Sequence, residues 1–242
     1  MTTFGNASRH LSRKPTSLGA SDDTKPRLTV PSGSPLLERT TLDEDLAFLL
    51  QCEVRPIVVA PTGEVARGYV RTLNRRANLA VGLSGADAAL LPAGSGGVGR
   101  VQTGILATLA AAGYIPVIEP TALGLSGDDV ALSADDVACA IASATDAARA
   151  IFFHWAGGVI DPKTLDLVAE LTPAEALTLA DDAALDPQLV NAVRAAALAV
   201  RAGVAAAQIF DGRVAHATIV ELLTAQHLGT QVTGAVYLGD AA

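Results

Sequence analysis

The sequence predicts an α/β fold, a three-layer α/β/α sandwich with a mainly parallel central sheet, and three observations carry the prediction. Short apolar runs recur along the chain, among them Pro56–Val59 (PIVV), Tyr114–Ile118 and Ala150–Phe153 (AIFF). Between them lie helical patterns of about ten residues or more, the alternation of a βαβ chain. The strand runs are apolar throughout and not alternating, as in strands covered on both faces. A length of 242 residues suits one such domain. With 50% hydrophobic and 17% charged residues the chain is not of the disordered class.

Taken in order, residues 1–26 are polar and read as a flexible N-terminal arm, and residues 27–242 as the domain. The arm has no apolar segment of the secretory kind. Arg27–Val30 is a short strand. Leu42–Leu50 is a helix after Thr41, with Asp43, Glu44 and Asp45 placed in its first turn, where the helix dipole favours acids. Pro56–Val59 is a buried strand and Val65–Arg76 an arginine-rich helix. Val101–Ala112 is a helix stopped by Gly113, leading into the strand Tyr114–Ile118. Ala134–Ala148 is an alanine-rich helix before the strand Ala150–Phe153. Pro173–Ala180 and Pro187–Ala202 are helices, Gln208–Phe210 a strand and His216–Ala225 a helix. Parallel sheets bind ligands beyond the carboxyl ends of their strands, where loops run into helix N-termini. The loops to search are therefore 31–35, 60–64, 119–133 and 154–158.

A net charge of −8 and a pI near 4.9 argue against nucleic-acid or anionic-membrane partners. A small anionic ligand would need a local positive site. Only Lys14, Lys25 and Lys163 are lysines, against fourteen arginines. Cys52 and Cys139 stand far apart and read as two buried thiols of a cytoplasmic protein. His154, His216 and His227 share no ligand spacing, so no metal site is expected. No membrane helix is expected either, since Arg194 and Arg201 interrupt the most alanine-rich run. Gly94–Arg100 (GSGGVGR) would be an anion loop only if a strand preceded it and a helix followed, and it reads otherwise as a surface turn.

Four segments carry a family resemblance: GYIPVIEP (residues 113–120), LSADDVACAIASA (132–144), AVGLSGAD (80–87) and QIFDGRVAHATIVELLTAQHLGTQV (208–232). Together they resemble the amino acid kinase family, and within it the acetylglutamate kinases, over about residues 27–232. The resemblance implies ATP-dependent phosphorylation of an N-acylated amino-acid carboxylate, in the arginine-biosynthesis lineage, with ATP and Mg2+ as cofactors. It also implies a homodimer or higher homo-oligomer, with a partner subunit as a further possibility. Phosphoryl transfer of this kind is electrostatic: backbone N–H groups and lysines neutralise the moving phosphoryl.

Matched motif by motif, the resemblance assigns Ser32, Gly33 and Ser34 to the first phosphate loop and Gly63 to the second. Thr62, Arg67 (with Arg71 beside it) and Ser133 fall on the substrate side, although both arginines also read as ordinary surface residues. Asp135 falls on the aspartate that orients the catalytic lysines. Gly158 and Trp155 fall on the nucleotide side, where Trp155 either stacks on a base or packs in the core. The sequence departs from the family at decisive points. Both family lysines are missing, and no lysine follows Lys163. Pro31 and Pro61 enter the two glycine loops and remove N–H donors. Arg194 lies two residues beyond the lost second lysine, on the wrong side of its helix, and Arg213 reads as structural. Two functions stay open: an acetylglutamate-kinase-like enzyme of impaired activity, or a non-catalytic relative that binds a small anionic ligand or a partner subunit. An anion-storage or scaffolding role is a third.

Overall fold

In the computed structural model the residues described are 27–31, 41–161, 164–183, 185–224 and 226–234. The strands, in chain order, begin with β1 (Arg27–Pro31), β2 (Pro56–Val59) and β3 (Ala80–Leu83). A two-stranded hairpin follows, β4 (Ala93–Gly94) and β5 (Gly97–Val98), then β6 (Ile115–Ile118) and a second hairpin, β7 (Thr121–Leu123) and β8 (Asp129–Ala131). The last strands are β9 (Arg149–Phe153), β10 (Glu170–Leu171), β11 (Ala206–Phe210) and β12 (Thr230–Thr233). The helices are α1 (Leu42–Gln51), α2 (Gly63–Ala77), α3 (Gly104–Ala111), α4 (Ala134–Ala144), α5 (Pro173–Ala180), α6 (Pro187–Arg201) and α7 (Ala217–Leu223).

Eight strands form one sheet in the order β10-β12-β11-β9-β1-β2-β6-β3. The six from β11 to β3 are parallel, and β12 runs antiparallel to β11. Side chains alternate between the faces of a strand, and the two cores follow that alternation. Ile57, Val59, Ala150, Phe152 and Ile209 pack on one face, beneath α3, α4, α5 and α6. Val58, Ile151, Phe153, Phe210 and Val117 pack on the other, beneath α1, α2 and α7. Phe153 and Phe210 meet edge to face with centroids 5.2 Å apart, an arrangement aromatic pairs favour. The sandwich expected from the sequence is the one observed.

Several boundaries differ from expectation. The helix expected from Val101 begins at Gly104, because the glycine run before it folds into the β4–β5 hairpin, with the Gly99 N–H bonded to the Pro92 carbonyl. Three residues separate that run from the helix, and the stretch before it, Asp87–Ala89, is a 3-10 turn and not a strand. The anion-loop arrangement is therefore not formed. The helix expected to reach Ala148 stops at Ala144, where Asp146 takes a positive φ of 49°. Cys52 is exposed and Cys139 half-buried, so the expectation of two buried thiols is corrected. The β7–β8 hairpin and β10 are too short to register as apolar runs, and β12 (TQVT) is mostly polar. Among the described residues no helix is long and apolar enough to cross a membrane.

Helix α7 is tied to α1 through a polar contact. His216 adopts the left-handed conformation at the head of α7, its N–H donating to Thr41 Oγ1 at 2.6 Å. Its Nδ1 lies 2.8 Å from Asp45 Oδ1, and Asp45 also accepts from the Thr218 and Ile219 N–H groups. Burial raises the Asp45 carboxyl by more than these bonds lower it, while the bond to Asp45 raises His216. The proton on His216 is thus held to a pH above its ordinary range, and the attraction is lost as pH rises through that raised value. In an NMR titration, His216 should titrate above 6.5 in the wild type and move down in Asp45→Asn. An unchanged midpoint in that variant would dismiss the pair.

Candidate functional site

The parallel strands put their carboxyl ends along one edge, and most of the residues singled out by sequence lie there. Ser32, Gly33 and Ser34, which follow β1, lie outside the described residues. After β2 the chain reaches Thr62, which caps α2: its Oγ1 accepts the Val65 N–H at 3.3 Å. Gly63 opens the helix, and its lack of a side chain leaves room for an acid. A Cβ there would collide with the carboxylate of Glu119, the residue that follows β6. The acid consequently sits against the amino end of a 15-residue helix, where a phosphate would otherwise be drawn.

Arg67 lies one turn along α2 from Gly63, with Arg71 a further turn on the same side. Both are exposed and line a cavity of about 380 Å3 between α2 and the carboxyl ends of β3 and β6. Glu119, Ser84 and Asp87 complete its polar lining. Asp87 Oδ2 accepts from the Ser84 N–H at 2.6 Å and from its hydroxyl at 2.9 Å. The Asn74 side chain holds α2 to β3, accepting the Ala80 N–H at 2.8 Å and donating to the Ala80 carbonyl at 2.9 Å. The two arginines are thereby fixed relative to the β3 edge.

Past Pro120 the chain turns through the β7–β8 hairpin and returns, with the Leu132 N–H on the Pro120 carbonyl at 2.9 Å. That bond brings the head of α4 back to the carboxyl end of β6. Ser133 occupies the N-cap position but makes no side-chain cap bond. Asp135, two residues on, is 7% exposed, and its Oδ1 has no hydrogen-bonding partner among the described residues. Burial, with a smaller contribution from Asp136, pushes its carboxyl up to about 6.

At the end of β9, His154 is buried and its Nδ1 accepts the Ala156 N–H at 3.2 Å, while its ring leans on Trp155 with centroids 5.5 Å apart. The Trp155 ring is 44% exposed, so the alternative of a core tryptophan is corrected: a turn after the strand carries it out over the sheet edge. Gly158 has a φ of 142°, and a Cβ there would press on Leu167 and on the Thr230 hydroxyl. Next along the edge, Arg213 holds Asp211 through Nε at 2.9 Å and Nη2 at 2.6 Å, and Nη2 also donates to the Trp155 carbonyl at 3.0 Å. Burial alone would raise the Asp211 carboxyl, but the Arg213 hydrogen bonds outweigh it and hold the group below its ordinary value. Arg194 donates to Asp181 Oδ1 at 2.9 Å and to the Ala180 carbonyl at 3.3 Å, at the end of α5.

Thr62, Gly63 and Arg67 thus lie at β2 on the α2 face of the sheet, with Glu119 of the β6 end against Gly63, whereas Ser133 and Asp135 head α4 on the opposite face, and Trp155 and Gly158 lie beyond β1 at β9. Sequence reading passed over Glu119. The available signal was its position, an acid in the first residue after the fully buried strand IPVI.

A sequence profile of the amino acid kinase family matches residues 6–211. The acetylglutamate kinase of Trichlorobacter lovleyi is 31% identical over 191 residues, covering 71% of this chain and 65% of that protein. That of Campylobacter curvus is 34% identical over 182 residues, covering 72% and 64%. The matched region thus spans just under two thirds of the length of these relatives. Among solved structures, N-acetylglutamate synthase from Neisseria gonorrhoeae, complexed with coenzyme A and N-acetyl-glutamate, superposes with a TM-score of 0.74 at 17% identity, over 88% of this chain and 60% of that one. Carbamate kinase from Giardia lamblia, bound to AMP-PNP, gives 0.65 at 11% identity, over 87% and 99%. At such identities these structures speak for the fold alone.

Proposed function

We propose, from the premise that this chain belongs to the amino acid kinase family, that it is a ligand-binding relative in which phosphoryl transfer has been lost. The observation that carries this reading is the buried, unpartnered oxygen of Asp135. In the acetylglutamate kinases that the sequence resembles, this aspartate faces lysines; here those lysines are missing from the sequence, and among the described residues the carboxylate has no cation beside it. A transferred phosphoryl group needs converging donors and positive charge. The described residues along this edge offer the reverse: a buried carboxylate at Asp135 with no partner among them, a second carboxylate at Glu119 and no lysine. They do not fit the γ-phosphate of ATP, so no catalytic step is assigned to them.

Retained catalysis is the second reading, and the survival of Asp135 favours it, since an ionised carboxylate in that place can still orient a cation supplied with the nucleotide. The two readings separate in a coupled assay of ADP release with magnesium-ATP and N-acetyl-L-glutamate. Losing one electrostatic donor typically slows a reaction about 10²–10³-fold, and losses within one constellation do not add. Turnover is therefore expected at least about 10²-fold below that of a relative with both lysines. Comparable turnover would establish the kinase. A homo-oligomer is proposed on the strength of α3, an apolar helix in which Leu106 is the only fully buried residue.

A further inference from the structure

At the amino ends of the strands, on the face of the sheet opposite α2, a cavity of about 440 Å3 opens between α3 and α4. Its floor is Ile57 of β2 and Leu106 of α3, and Ala107, Ala111 and Ala144 line it with exposed methyl groups. Two charged groups, Arg55 and Asp146, stand at its mouth. Arg55 is half-buried. Its guanidinium makes one long bond, 3.4 Å to the carbonyl of its own neighbour Val54, and no ion pair among the described residues. The Asp146 side chain makes neither a hydrogen bond nor an ion pair among them. Asp146 is also costly where it stands. It takes a positive φ of 49° just past Thr145, the C-cap of α4, a position suited to glycine or asparagine. Its negative charge lies at the end of a helix that favours a cation there.

The strand register fixes which part of the chain starts from this mouth. Arg27, the first residue of β1, pairs with Pro56 of β2, and Leu28 pairs with Ala150 of β9. β1 therefore enters the sheet between the strand that follows Arg55 and the strand that follows Asp146, and the residues before Arg27 join it at the cavity. We propose that this cavity is the docking site of residues 18–26 of the same chain, with Lys25 at Asp146, Asp22 and Asp23 at Arg55, and Leu18 and Ala20 over Ile57 and Leu106. The sequence carries the complementary groups in that order: the charges nearest the strand, the apolar residues farther from it. Reach is ample. From Ala111 back to Thr103, α3 measures about 12 Å, whereas Leu18 to Pro26 can span about 30 Å. A second copy would have to bring its own cation and acid to the same two groups, while this segment is tethered beside them at high effective concentration. The cavity uses the flank of α3 that faces α4, so the exposed flank of Thr108 and Ala112 stays open to the self-association proposed above.

The test is disulfide trapping in the full chain, in a background of Cys52→Ser and Cys139→Ala that circular dichroism shows to be folded. Ala20→Cys is combined either with Ala107→Cys, in the cavity, or with Ala77→Cys, exposed at the end of α2 on the other face of the sheet. With diamide as oxidant and non-reducing electrophoresis as the readout, positions 20 and 107 should link within one chain at least about tenfold faster than 20 and 77. Arg55→Glu, which repels both acids, should remove most of that advantage, and Asp22→Arg with Asp23→Arg should restore it. Equal rates for the two pairs overturn the proposal, as does the absence of a link at 107. A link that forms mainly between chains also overturns it and gives the cavity to a second copy. An advantage untouched by Arg55→Glu overturns the pairing of Arg55 with the acids.

Discussion

Asp135→Asn is expected to make the protein more stable at pH 8, by about 2–3 kcal/mol, and to leave stability near pH 4 almost unchanged. Carboxylates normally titrate near 3.8, but burial raises this one to about 6 in the folded state. Each unit of difference is worth about 1.4 kcal/mol, and the difference here is about two units. The sign follows from proton uptake. Between the two values the folded chain holds a proton that the unfolded chain has released, so stability falls as pH rises, and it is lowest once both forms are ionised. A neutral amide of the same shape removes that loss without opening a cavity. Urea unfolding of both proteins at pH 4 and pH 8 measures the effect. If Asp135→Asn instead destabilised the protein at pH 8, the carboxylate would have a cation the described residues do not supply, and the case for lost phosphoryl transfer would fall with it. Catalytic carboxylates in intact sites are stabilised by the partners they orient; an unpaired one is a cost carried by the fold.

How much of this was legible in the sequence differs sharply between layers. The parallel sheet was, because strands such as Pro56–Val59 and Ala150–Phe153 are buried on both faces and leave uninterrupted apolar runs. Helix α5 was legible to the residue, since Thr172, Pro173 and Glu175 form a capping box with proline at the first turn. Helix ends set by backbone turns were not: nothing in an alanine-rich run announces that Asp146 will turn to a positive φ. At the candidate site, motif comparison brought out Asp135, Thr62, Gly63 and Arg67, but it weighed each only in the role its family motif prescribes. Glu119 escaped because its importance is spatial. It lies 56 positions from Gly63 in the chain and is brought against it only by the pairing of β2 with β6. Trp155 was placed at the correct strand end, yet its exposure depends on the turn that follows, which the pattern of apolar residues does not encode.

Thr230→Val, which keeps the shape and removes one hydroxyl, is expected to cost about 2–4 kcal/mol, more than any surface change at the candidate site. The Thr230 Oγ1 accepts the Val159 N–H at 2.8 Å and donates to the Val168 carbonyl at 2.7 Å. Thr230 and Val159 are buried, so water does not replace the acceptor lost to the Val159 N–H, and the half-buried Val168 carbonyl loses its donor too; stranding such a group costs about 1–3 kcal/mol. Thr230→Ser, which keeps both bonds, should lose much less; equal losses in the two variants would show that the methyl group and not the hydroxyl matters. The same joint requires its glycines, because a Cβ at Gly229 would collide with the Ile209 carbonyl and one at Gly158 with the Thr230 hydroxyl. Neighbouring polar residues of the closing segment are used in the same way. Glu221 accepts the Leu228 N–H at 2.8 Å and faces His227 Nδ1 at 3.2 Å, and His216 pairs with Asp45. The closing segment, one of the four that carry the family resemblance, therefore carries it in residues that hold loops to the sheet. Packing of this kind is demanded of any chain that keeps the fold, with or without chemistry at its edge. That is why a resemblance there coexists with carboxylates, and no lysine, where a phosphate would have to be held.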